Sequence, residues 1–140
     1  MMHKRTRACN ISQKTKIIVY QRDHGQCIFC NQKGLPEAHV ISRAHGGLGV
    51  PQNIVTICRH CHNWMDNSTV RDQMISFAKQ YLLRKYPDWA PSKVTYDKYD
   101  NDKAKRLIIE AEIALQKGFK PPTFSKGDKD KAPPDGFTWF

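Results

Sequence analysis

Two matched cysteine pairs, Cys27-Ile-Phe-Cys30 and Cys58-Arg-His-Cys61, carry the plainest chemistry in this chain. Each Cys-x-x-Cys turn puts two sulfurs on one side of an ion, and two turns supply the four thiolates that suit tetrahedral Zn²⁺. The 27 residues between the pairs exceed the spacing of a simple zinc ribbon, so a hairpin is expected between them. That interval and the residues just after it are rich in polar side chains with functional chemistry: His39, His45, Asn53, His62 and Asp66. His62 and Asp66 stand at i and i+4, a helical spacing suited to gripping one cation. A disulfide pair, a thioredoxin-like redox site and free core thiols are the competing readings of the cysteines. Two matched pairs in a reducing compartment favour structural zinc over all three. Cys9 stands alone and reads as a free thiol.

The elements that must position these residues follow from periodicity and turn signals. Residues 1–11 form a polar, basic arm without periodicity, expected to be flexible. Ser12 is placed to cap a helix over about 13–23, which stops at the Asp23-His24-Gly25 turn. Residues 38–41 and 54–57 are β-prone and read as two short strands, joined by a glycine-rich loop from Arg43 to Gln52. A helix starting near Arg59 carries Cys61, His62 and Asp66. Asn67 or Ser68 is placed to cap a longer helix over about 69–85, with Val70, Met74, Phe77, Ala78, Tyr81, Leu82 and Tyr86 on one apolar face. Trp89 is placed to pack back on the core, and residues 93–100 read as loop or short extended segment. A last helix is expected over about 103–117, with Gly118 just past its end. Residues 119–140 read as a disordered tail ending in Phe137-Thr-Trp139-Phe140.

Bulk properties narrow the classes. At 140 residues and 39% hydrophobic content, one small core needing a staple is expected. The formal net charge is +10, denser in the half that holds the cysteines, which favours a polyanionic partner. No apolar run approaches the roughly 20 residues that span a bilayer. The basic N-terminus leads into no apolar segment, so no signal peptide is expected and the protein reads as cytoplasmic.

The order His39, Asn53, His62, with Asp66 beyond, resembles the His-Asn-His (HNH) endonucleases. More narrowly, His-x-x-x-Arg-x-x-Gly-Gly-Leu-Gly followed by Asn-x-x-Thr-x-Cys-x-x-Cys-His looks like the small HNH proteins of bacteriophages. The likeness covers roughly residues 27–66, and the segment from Tyr81 to Lys98, with Tyr86-Pro87-Asp88-Trp89, is also similar to those phage proteins. The implied fold class is α+β: a small zinc-stapled ββα-metal core, treble-clef-like, with further helices before and after it. Residues 12–100 would form the nuclease domain and 101–118 an appended helix.

The resemblance implies a metal-dependent endonuclease acting on DNA, with His39 as general base and Asn53 orienting it across the hairpin. His62 and Asp66 would hold the catalytic cation, Mg²⁺ or Mn²⁺, and Arg43 would contact phosphate. The position before the base is commonly a ligand in this family, but here it is Ala38. Either the cation keeps an extra water, or Glu37 or His45 supplies the missing ligand. Phage packaging or recombination proteins are the implied partners, inside a bacterial host cell. A non-catalytic zinc-stabilised DNA-binding module is the alternative. A zinc base deaminase needs His-x-Glu ahead of its cysteines; the order here is Glu37-x-His39, which sets that class aside.

Overall fold

The computed structural model describes residues 3–67 and 69–118. Helix α1 (Lys4–Cys9) leads into α2 (Gln13–Arg22), then the hairpin β1 (Leu35–His39) and β2 (Ile54–Ile57). Three helices follow: α3 (Arg59–Asn67), α4 (Arg71–Lys85) and α5 (Lys103–Gly118). This is the expected α+β order of a ββα core with additional helices on both sides. The expected tail, 119–140, lies outside the described residues.

The first difference from expectation is α1. The basic arm forms a six-residue helix whose Cys9 is buried, with no apolar periodicity to reveal it. What holds α1 is tertiary. Ala8 O accepts from Gly49 N at 3.0 Å, and the Arg5 guanidinium donates to Ala44 O at 3.0 Å. Helix α2 begins as expected: Ser12 Oγ accepts from Thr15 N at 3.2 Å, satisfying an otherwise orphaned donor of the first turn. It ends at a turn where His24 and Gly25 both take positive φ.

The hairpin is antiparallel, pairing Leu35 with Ile57, Pro36 with Thr56, Ala38 with Val55 and His39 with Ile54. The first strand lies earlier than the expected 38–41, because residues from Val40 on turn into the long loop. Glu37 has no partner in this register. It is the extra residue of a β-bulge, a device that re-aims side chains locally. Pro36 and Ala38 face the core, whereas Leu35, Glu37 and His39 face outward. All four residues of β2 are buried, so this strand, unlike β1, is covered on both faces. Val55 and Ile57 join Ala38, Met65, Met74, Ala78 and Leu82 on the side of α3 and α4; α2 packs against both strands.

Helix α4 buries Met74, Ala78 and Leu82 at i, i+4 and i+8, the expected stripe. Phe77 stays exposed and leans on Phe29, their rings 5.5 Å apart. Val70 holds the N-cap position with no side-chain bond; Ser68 lies outside the described residues. Trp89 does return to the core, donating from Nε1 to Gln52 O at 2.6 Å. Residues 91–94 form a 3₁₀ turn that buries Val94, where loop or extended chain was expected. Helix α5 packs on α2 with Ala111 buried and a Lys14–Glu112 ion pair. Gly118 is its last residue rather than the first beyond it. Among the described residues, no helix is long and apolar enough to cross a membrane.

Candidate functional site

The cysteine site is built by two turns and a helix start. Asn31 adopts a positive φ and Cys27 N donates to Gln32 O at 2.7 Å, folding residues 27–32 into a tight knuckle. Cys58 directly follows β2 and Cys61 lies in the first turn of α3. The four Sγ atoms all lie within 4.8 Å of one another, and Cys30 Sγ is 3.5 Å from Cys58 Sγ. Tetrahedral Zn–S bonds of about 2.3 Å imply sulfur–sulfur edges of about 3.8 Å, so the cluster has the size and donor set that zinc requires. Cys61 N donates to Cys58 Sγ at 3.3 Å. Burial would raise the Cys58 thiol, but this N–H and the neighbouring thiols bring it below its ordinary value, favouring the thiolate a metal needs. The four cysteines are positioned to hold one metal ion.

A second cluster lies on the outward face of the hairpin and α3. His62 sits between two carboxylates: Nδ1 is 3.4 Å from Glu37 Oε1 and Nε2 is 3.6 Å from Asp66 Oδ2. The i, i+4 spacing brings His62 and Asp66 together as read from the sequence. The β-bulge delivers Glu37 to this face, whereas Ala38 is buried at 1% exposure and turned to the core. His45, the other reserve ligand, is engaged elsewhere, its Nδ1 2.7 Å from Ser42 Oγ. The two nitrogens of an imidazole diverge, so in this rotamer the carboxylates flank His62 on opposite sides. A cation shared by His62 and one carboxylate leaves the other to accept the remaining ring N–H, the usual carboxylate–histidine support of a metal site.

His39 follows Glu37 on the same outward face of β1. Its Nε2 is 2.8 Å from Cys9 O. A carbonyl only accepts, so Nε2 carries the proton and the neutral ring keeps its lone pair on Nδ1. Burial, aided by the nearby Arg43 charge, lowers the His39 pKa against the opposing pull of that carbonyl. The imidazole is therefore neutral near pH 7, as a proton acceptor must be.

Asn53 is wholly buried. Its Oδ1 accepts from Ile41 N at 2.8 Å, and its Nδ2 donates to Ile41 O at 3.0 Å and Leu48 O at 2.9 Å. The side chain thus pins both ends of the loop that carries Arg43. It touches backbone, not the outward face. Gly47 lets the loop close this tightly, since a Cβ there would lie 1.7 Å from Ile41 O. Arg43 is exposed and donates from Nη2 to Asn10 Oδ1.

Residues 27–76 match the family model described as HNH endonuclease. Over this segment, about a third of the chain, the protein is similar to HNH endonucleases. The match spans the cysteine knuckle, the hairpin, the loop, α3 and the start of α4. No curated protein and no solved structure matches the chain.

Outside the matched segment lie residues to which sequence reasoning gave no place at the site: Arg5, Cys9 (read only as a free thiol) and Asn10, which touch the loop and His39. The one signal for them was Gly49. A Cβ at that position would meet Asn10 O at 2.0 Å, which is why the loop needs glycine where the arm crosses it.

Proposed function

We propose that this protein is a metal-dependent HNH endonuclease that hydrolyses DNA phosphodiester bonds. The observation that carries the reading is the juxtaposition, on one face of a ββα unit, of neutral His39 with the Glu37–His62–Asp66 cluster. His39 acts as general base, taking a proton from the attacking water on Nδ1. Glu37 and His62 would hold a divalent cation, Mg²⁺ or Mn²⁺, which when bound stabilises the charge developing on the leaving oxygen. Glu37 shares the outward face of β1 with His39, so the Glu37 side of His62 is the side where cation and base can act on one phosphate. Asp66 then orients the ring from the opposite side.

Arg43, exposed beside His39, is placed to contact a phosphate oxygen. Asn53 positions rather than reacts: it fixes the loop that presents Arg43 and the start of the segment leaving His39. The Cys27, Cys30, Cys58 and Cys61 site would hold a structural Zn²⁺, fixing the knuckle against α3. The +10 net charge supports a polyanionic substrate through counterion release. The likeness to small phage HNH proteins supports a phage-encoded protein working beside packaging or recombination proteins in a bacterial cytoplasm.

The test is metal-dependent cleavage of supercoiled plasmid. Nicking with Mg²⁺ or Mn²⁺ that disappears with chelator, and in His62→Ala, is the expected result. A protein that binds DNA yet leaves plasmid intact with every divalent metal tried would be a zinc-stabilised binding module, and the enzyme reading would fail.

A further inference from the structure

The HNH match begins at Cys27, yet the outward face of that segment is not complete on its own. Three groups from residues 3–10 reach it. Cys9 O accepts a hydrogen bond from His39 Nε2 at 2.8 Å. Asn10 Oδ1 accepts from Arg43 Nη2. Arg5 Nη2 donates to Ala44 O at 3.0 Å and, more loosely, to Arg43 O at 3.5 Å. Helix α1 is docked by Gly49 N, which donates to Ala8 O at 3.0 Å, and Thr15 Oγ1 secures Gly49 O from α2 at 2.9 Å. The arm and the loop are fitted so closely that no side chain is tolerated between them, as the 2.0 Å gap from a Cβ at Gly49 to Asn10 O shows.

We propose that residues 3–10 are a positioning element of the cleavage site: the Cys9 carbonyl fixes the reactive tautomer and orientation of His39, and Asn10 aims Arg43. The proposal rests on the endonuclease reading for its kinetic consequences and on the hydrogen bonds alone for its structural ones. An exposed imidazole samples two tautomers and several rotamers, whereas a ring anchored at Nε2 by a buried acceptor presents Nδ1 only. A guanidinium on an exposed loop likewise loses many wrong orientations when a fixed amide oxygen holds one nitrogen. Both effects are preorganisation, so they act on turnover more than on DNA affinity.

The experiment uses the full chain loaded with zinc. Ring ¹⁵N chemical shifts of His39, measured at a pH where the imidazole is neutral, are expected to show one tautomer, protonated at Nε2. Gly49→Ala, which pushes the Asn10–Ile11 peptide, and with it the adjoining Cys9, off the loop, is expected to yield a mixture. Kinetically, Asn10→Ala is expected to lower kcat for plasmid nicking by about tenfold or more with KM little changed. Asn10→Asp, which keeps an oxygen acceptor, restores most of it. A wild-type ring protonated at Nδ1, or unchanged kcat in Asn10→Ala with Arg43→Ala impaired, overturns the proposal. Should Gly49→Ala fail to fold, the wild-type tautomer and the Asn10 pair still decide. Should the wild type not cleave at all, the endonuclease reading fails, while the His39 tautomer still decides whether residues 3–10 set the ring.

Discussion

Replacing Asp23 by Asn should cost this protein a large share of its stability. Arg22 and Asp23 are both buried, at 8% and 5% exposure, and joined by two hydrogen bonds, Nε to Oδ1 at 2.8 Å and Nη2 to Oδ2 at 2.9 Å. Asp23 also accepts from Thr56 N at 3.0 Å and from the Tyr81 hydroxyl. Arg22 reaches Pro51 O at 2.7 Å and Ile54 O at 2.8 Å. The pair therefore stitches α2 to β2 and α4, beneath the strand that Asn53 precedes. Asn keeps the shape but removes the negative charge and puts an NH₂ against a donor, leaving the guanidinium buried and uncompensated. Breaking such a pair from one side costs about 3–5 kcal/mol, out of roughly 5–15 kcal/mol for a domain of this size.

The same network gives a pH dependence. Burial alone would raise the Asp23 carboxyl, but Arg22, then Tyr81 and Thr56, more than offset it and leave the pKa lowered. Its contribution is therefore complete above the unfolded carboxyl value of about 3.9 and is lost as pH falls through the lower folded value. Urea unfolding of the zinc-loaded protein at neutral pH is the assay, with the wild type followed into acid. A loss under about 1 kcal/mol for Asp23→Asn with unchanged m value would refute the reasoning.

Other consequences can be read with simple measurements. The purified protein should carry about one zinc per chain, and Cys58→Ser should lose both the metal and cooperative unfolding; a metal-free yet cooperatively folded wild type would contradict the staple. In Mn²⁺ titrations, Glu37→Ala should weaken binding more than Asp66→Ala, whose loss should be in the 10–100-fold range of an orienting partner. The reverse order would place the cation on the Asp66 side of His62. Gly47→Ala should destabilise the protein by more than about 2 kcal/mol, because its Cβ meets Ile41 O at 1.7 Å on a loop Asn53 holds closed; equal thermal midpoints would show that the loop gives way.

Much of this architecture was legible in residue spacing. Cys-x-x-Cys geometry is local, so two copies fix a metal-sized cluster whatever lies between them. The i, i+4 spacing of His62 and Asp66 needs only a helix to bring them together. Glu37 was legible only as one of two reserve ligands, since a bulge depends on pairing register and leaves no mark in composition. Helix α1 was not legible at all: its six residues hold three basic side chains and no apolar stripe, and tertiary contacts with Gly49 and Ala44 decide its structure. For the same reason Asn53 gave its importance away by its place in the motif but not its mode of action. Its burial and its three backbone partners belong to the loop closure, which no local pattern encodes.

The central claim is that His39 activates water for phosphodiester cleavage. The most direct measurement is the rate of supercoiled plasmid nicking by the wild type and by His39→Ala at saturating Mn²⁺, with DNA binding and zinc content measured on the same samples. The account predicts that His39→Ala loses at least about a hundredfold in rate while binding DNA and zinc as the wild type does. Equal rates in the two proteins would contradict it.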